Sequence, residues 1–102
     1  MDISESLKLT LYIDWASQPS RAIISFCVLN NIPHEIKEIR IGKGQHLTEE
    51  FAEINPAKYV PAIQEFDDKS NEKFTLSESH SILRYLADSR RTPDHWYPKD
   101  LR

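Results

Sequence analysis

Three short stretches carry side chains able to hold a ligand: Ser17-Gln18-Pro19-Ser20-Arg21, Val60-Pro61 and Ser77-Glu78-Ser79. The first is a polar break between two apolar runs, LTLYI and AIISFCVL. In a parallel βα arrangement, ligands collect at the carboxyl ends of strands, where helix N-termini point. Ser17 and the Ser77-Glu78-Ser79 run both open predicted helices, and Val60-Pro61 begins a predicted strand with an X-Pro bond able to be cis. Each stretch also has a plainer reading: the serines as helix caps, Glu78 as a charge that suits the helix dipole, Pro61 as an edge-strand proline. Their joint placement on one scaffold is what points to a site. Other residue types exclude chemistry. Cys27 is the single cysteine, so no internal disulfide and no Cys-x-x-Cys exchange motif can form. No pair among the four histidines has helical ligand spacing, so no metal is expected. His34, His80 and His95 are read as structural or solvated residues.

These stretches need a scaffold, and the patterning supplies one. Leu7, Leu9, Leu11 and Ile13 alternate with Lys8, Thr10 and Tyr12, the period of a strand with one apolar face. Ser17-Gln18-Pro19 then reads as N-cap, N1 and N2, because proline fixes a helical φ where no N–H is needed. The helix runs to about Asn30-Asn31, before Pro33. It is apolar nearly all round and is expected to be buried on more than one side. His34 to Ile41 predicts a second strand through Ile36, Ile39 and Ile41, ended by Gly42-Lys43-Gly44. Strand, helix and strand make a βαβ unit with parallel strands. Thr48 caps a short predicted helix, Glu49 to Ile54, closed by Asn55-Pro56. Val60 to Phe66 is a third strand. The loop DDKSNEK and a short return strand, Phe74 to Leu76, complete a hairpin. SESHSILRYLADSRR describes an amphipathic helix, with serines at its start, Ile82, Leu83, Leu86 and Ala87 at helical spacing, and arginines at its end. The tail TPDHWYPKDLR reads as a linker. No repeat or low-complexity segment is present.

At 102 residues the chain is expected to form one domain, long enough to bury roughly two-thirds of its unfolded surface. Apolar residues are 39% and charged residues 28%, ordinary for a soluble globular protein. A net charge of −3 argues against nucleic acid or an acidic membrane as the main partner. MDISESLK lacks the apolar core of a secretory signal, and no run approaches the ~20 apolar residues that span a bilayer. With one cysteine, these features fit a cytoplasmic location.

The order βαβαββα, together with "LYIDWASQPSRAI", "KGQHLTEEFAEINP", "VPAI", "FTLSES", "SILRYL" and "TPDHWYP", resembles the amino-terminal domain of glutathione transferases, most closely the theta class. The resemblance covers nearly the whole chain from Leu7. VPAI and SES belong to the whole superfamily, whereas SQPSR, GQH and DHWYP point to theta. It implies an α/β thioredoxin-like fold, with a mixed four-stranded sheet and helices on both faces, over residues 1–91, and a linker at 92–102 toward an all-helical C-terminal domain. The implied co-substrate is glutathione, with no metal. Ser17 would hydrogen-bond its sulfur, and His46 with Gln45 would line the glycyl end. Val60, before a cis Pro61, would pair with the cysteinyl main chain, and Glu78 and Ser79 would hold the γ-glutamyl amine and carboxylate. Tyr59 stands in this glutathione-binding stretch where the theta pattern often has lysine, which removes one side-chain contact. His46 alone would read as a solvated loop residue, and the resemblance reverses that.

The implied reaction is attack of the glutathione thiolate on a small electrophile such as an alkyl halide, an epoxide or a peroxide, a detoxification chemistry. The family is usually a homodimer. Without a second domain, apolar surface on the first and last helices should be exposed, and the isolated domain should turn over poorly. The hairpin EFDDKSNEKF is longer than the family's and is expected to be a surface extension. Two rivals stand beside this reading. A non-catalytic scaffold of the same fold would not need Ser17, His46, Glu78 and Ser79 together. A glutaredoxin-like exchanger would need cysteine where Ser17 stands.

Overall fold

The computed structural model describes residues 7–91; the linker read at 92–102 and the MDISES start lie outside the described residues. The chain runs β1 (Leu7–Ile13), α1 (Gln18–Leu29), β2 (Glu35–Glu38), two single 3₁₀ turns (Ile41–Lys43 and Gln45–Leu47), α2 (Glu49–Ala52), β3 (Ala62–Asp67), β4 (Glu72–Ser77) and α3 (Ser79–Ser89). The four strands form one mixed sheet in the order β2-β1-β3-β4. β1 pairs with β2 in parallel and with β3 antiparallel, and β3 pairs with β4 antiparallel.

Period-two alternation in β1 sends Leu9, Leu11 and Ile13 to one face, where α1 and α3 cover them with Ile23, Phe26, Cys27, Ile82, Leu86 and Ala87. Tyr12 faces the other way and packs with Ala62 against Phe51 of α2. Helices therefore lie on both faces, with the larger core under α1 and α3.

Several expected boundaries shift, each for a local reason. α1 buries only Ser20, Ile23, Phe26 and Cys27, and Val28 and Leu29 stay 59% and 57% exposed. It is thus covered on one side, not on several. The last helix exposes no comparable residue: Leu83 and Tyr85 are partly buried against the main core. β2 is shorter than the Ile36–Ile41 alternation suggests. It is an edge strand with all four residues exposed, and at Ile41 the chain turns into a 3₁₀ turn. β3 begins after Pro61, which has no N–H for the ladder. The hairpin pairs out to Asp67 and Glu72, so the loop shrinks to residues 68–71. Asp67 Oδ1 accepts from Lys69 N at 2.9 Å, and Asn71, at φ 59°, donates its N–H to the Asp67 carbonyl. Much of the expected surface loop is therefore strand, hidden in the sequence because Glu72 and Lys73 face solvent.

Candidate functional site

Sheet register brings four segments to one edge. Tyr12 opposes Ala62, and Ala62 opposes Ser77. The residues just beyond these pairs, Asp14–Ser17, Val60-Pro61 and Glu78-Ser79, accordingly share the carboxyl end of β1. The parallel pairing of Ile13 with Glu38 carries the segment that holds Gln45 and His46 to the same end.

The Ser17 stretch is built from its own polar groups. Ser17 caps α1, its Oγ accepting from Ser20 N at 3.2 Å, and its N–H donates to the Asp14 carbonyl at 2.8 Å. Ser20 is fully buried and accepts from Asp14 N through its own Oγ at 3.3 Å. Arg21 turns back to donate from Nη1 to the Trp15 carbonyl at 2.7 Å. Every polar side chain of the motif except Gln18 thus braces the loop.

Val60 lies two residues before the first paired residue of β3, so its main chain is outside the ladder. The Val60-Pro61 bond is cis. Tyr59, 40% exposed, pairs its hydroxyl with Ser77 Oγ at 3.2 Å, linking the Val60 segment to the start of α3.

The α3 cap differs from expectation. Glu78, not a serine, is the N-cap; it sits at φ 79°, and Oε1 accepts from His80 N at 2.8 Å. A non-glycine residue at positive φ in a site is strained backbone. Ser79 follows as the first helical residue, half-buried.

Gln45 and His46 lie on the second 3₁₀ turn. Gln45 is exposed and turns back on its own loop: its Oε1 accepts from Arg40 N at 2.8 Å. His46 Nδ1 is buried without a hydrogen-bond partner among the described residues, an orphaned polar atom of the kind that calls for a ligand or water. Among the described residues no group of three His, Cys, Asp or Glu side chains is placed to hold a metal ion.

Two residues passed over in the sequence prove central to the scaffold. Asn55, 3% exposed, donates from Nδ2 to the Tyr59 carbonyl at 2.9 Å and accepts at Oδ1 from Ala57 N at 3.0 Å. It holds the loop that delivers Val60. Asp14 accepts from Ala16 N at 2.9 Å and, across the site, from Ile41 N at 3.0 Å. These two N–H donors hold its carboxyl below the usual carboxylate range. An Asp after a strand and an Asn before a proline are ordinary turn signals, which is why neither stood out.

Residues 17–89 match the family described as glutathione S-transferase, N-terminal domain. The chain belongs to the glutathione S-transferases. Over 94 residues it is 48% identical to glutathione S-transferase theta-1 of Rattus norvegicus, covering 92% of this chain and 37% of that relative. The apo form of human glutathione-S-transferase T1-1 superposes with a TM-score of 0.77 at 47% identity, over 91% of this chain and 36% of that one. Human glutathione transferase theta-2, solved in complex with glutathione and an unknown ligand, gives 0.77 at 44% identity, again over 91% and 36%. This glutathione S-transferase chain therefore spans little more than a third of the length of these relatives. The theta resemblance and the thioredoxin-like fold both agree with them.

Proposed function

We propose that this domain binds glutathione along the carboxyl edge of its sheet and activates the thiol for attack on a small electrophile. Ser17 is the residue that acts on sulfur. One observation supports this most directly: Ser17 Oγ is used as an acceptor by Ser20 N, which leaves its hydroxyl hydrogen to donate outward from the start of a 12-residue helix. A donor at a positive helix end favours an anion over its neutral acid.

A free thiol has a pKa of about 8.5, so only a few per cent is thiolate at neutral pH. A hydrogen bond to a charged group contributes roughly 1.5–3 kcal/mol, and ~1.4 kcal/mol corresponds to one pKa unit. Ser17 and the helix end together would lower the thiol pKa by about one to two units, raising the thiolate share at pH 7 from a few per cent to roughly a quarter to three-quarters. The thiol proton passes to solvent, and Ser17 keeps its own. The sulfur lone pair then forms the bond to the electrophilic carbon as the leaving group departs with the electrons of its bond.

Val60 main chain, Glu78, Ser79 and His46 would position the tripeptide, with Gln45 bracing the His46 loop. Glu78 supplies the negative charge an ammonium group needs, and the N-terminus of α3 suits a carboxylate. A helical C-terminal domain and a second subunit would complete the enzyme and supply the electrophile pocket. The reading is tested by Ser17→Ala, following bound thiolate by ultraviolet absorbance alongside glutathione affinity. The thiol pKa should rise by about one unit, the share of the hydroxyl, while affinity changes little. Equal losses in affinity and ionisation would remove Ser17 from the thiolate role.

A further inference from the structure

Asp14, the residue that follows β1, uses all of its polar atoms on the two loops that flank the site. Its N–H donates to Ser20 Oγ at 3.3 Å and its carbonyl accepts from Ser17 N at 2.8 Å. One carboxylate oxygen, Oδ1, accepts from Ala16 N at 2.9 Å, which closes the turn before Ser17. The other, Oδ2, accepts from Ile41 N at 3.0 Å, 27 residues away.

That last bond begins where the ladder ends. Ile39 N donates to the Ile13 carbonyl at 2.7 Å, and beyond it β1 and β2 have parted. From Ile41 the connection continues within the 3₁₀ turns. Gly44 N donates to the Ile41 carbonyl at 2.9 Å and Gln45 N to the Arg40 carbonyl at 3.2 Å. Gln45 Oε1 accepts from Arg40 N, and His46 is the next residue. An aspartate is the residue this geometry requires. Both oxygens must accept, so asparagine would turn an N–H₂ toward a backbone N–H. Glutamate would be one carbon too long for the turn at Ala16.

We propose that Asp14 is a positioning residue that sets the Ser17 loop against the Gln45–His46 loop, so that thiol activation and glutathione binding are adjusted together. This rests on the reading under Proposed function, and the two are separable by experiment.

The test compares the chain with its Asp14→Asn and Asp14→Ala variants by amide hydrogen exchange without ligand, then by glutathione titration and thiolate absorbance. Without ligand, both variants should exchange about tenfold faster at Ser17, Ile41 and Gln45. Amides of α3 should be unchanged, which shows that the fold is intact. With glutathione, affinity should fall about three- to tenfold and the bound thiol pKa should rise, both changes in one variant. Ser17→Ala should move the pKa alone. Fast exchange confined to Ala16 and Ser17 would overturn the proposal, as would unchanged affinity and pKa in both Asp14 variants. If the unaltered chain does not bind glutathione, the functional reading fails, and exchange at Ile41 and Gln45 still decides whether Asp14 couples the loops.

Discussion

The two ends of the sheet hold their polar groups in opposite ways. At the carboxyl end of β1, polar side chains lie at the surface and satisfy backbone: Ser17 accepts from Ser20 N, Glu78 from His80 N, and Asp14 from Ala16 N and Ile41 N. At the far end, beneath the hairpin, charged side chains pair with one another inside the core, leaving Glu65 Oε2 and Arg90 Nε without a partner among the described residues. Arg90 donates from Nη1 to Glu65 Oε1, and Tyr85 donates its hydroxyl to the same oxygen at 3.0 Å. The Arg90 and Glu65 side chains are 6% and 4% exposed. Burial works against the Arg90 charge, but the hydrogen bond and field of Glu65 outweigh it and raise its pKa. Groups that engage backbone at a surface can be repurposed toward a ligand without exposing a core. Groups that engage each other in a core hold the closing helix in place, and little else is open to them.

Arg90 is the position at which the far end is most sensitive. Arg90→Leu leaves the buried Glu65 with only the Tyr85 hydroxyl and no opposite charge, and such losses cost about 3–5 kcal/mol. Urea denaturation should therefore show a large drop in midpoint for Arg90→Leu. Replacing both partners, as in Glu65→Leu with Arg90→Leu, should recover most of it, because paired burial of charge is close to neutral against apolar packing. If the double variant is as unstable as the single one, the pair stabilises the far end by its geometry and not by mutual neutralisation alone.

Asn55 lies between these extremes: it is buried like the far pair, yet it bonds backbone like the site. Asn55→Ala removes two part-buried hydrogen bonds, to the Tyr59 carbonyl and from Ala57 N, each contributing about 0.5–1.5 kcal/mol. A smaller loss of stability than at Arg90 is expected, accompanied by weaker glutathione binding through Val60. Stability lost with binding retained would show that the Val60 segment holds its shape without Asn55.

The same contrast accounts for what could be read from the sequence. β1, α1 and α3 were legible because alternation and helical spacing repeat over several residues, and caps at Ser17 and Thr48 have a fixed residue vocabulary. The candidate site was legible only in part from residue type. Ser17 and Ser79 would pass as ordinary caps, and the longer motifs SQPSR and VPAI singled out the stretch. His46 was indistinguishable from a solvated loop histidine. The Glu65–Arg90 pair was illegible. Glu65 occupies an inward position of β3 that alternation assigns to an apolar residue, and Arg90 read as a charge suited to a helix end. Partners 25 residues apart leave no local pattern. Asp14 and Asn55 were missed for the converse reason: their types are so common in turns that neither the bond of Asp14 to Ile41 N, 27 residues away, nor that of Asn55 to the Tyr59 carbonyl leaves a mark in the local signal.

The smallest effect concerns Cys27, whose thiol lies in the far core beside the buried pair. Burial, offset by Arg90 and reinforced by Glu65, pushes its pKa up from an ordinary 9.0 to about 12. Burial and Glu65 also raise Tyr85. A group whose ionised form is disfavoured only in the folded state costs nothing while it stays protonated in both states. At pH 7, therefore, neither ionisation should affect stability. As pH rises past 9 the unfolded chain begins to lose these protons while the folded one retains them, so stability should fall through pH 9–12. Cys27→Ala should flatten part of that fall and change nothing at pH 7 beyond the loss of a buried side chain. Iodoacetamide should accordingly label native Cys27 far more slowly than a free thiol at pH 8, at a rate that follows opening of the core. Fast labelling of the native chain would mean that the far end opens as readily as the site end, and the division between a fixed core edge and a surface-bonded binding edge would not hold.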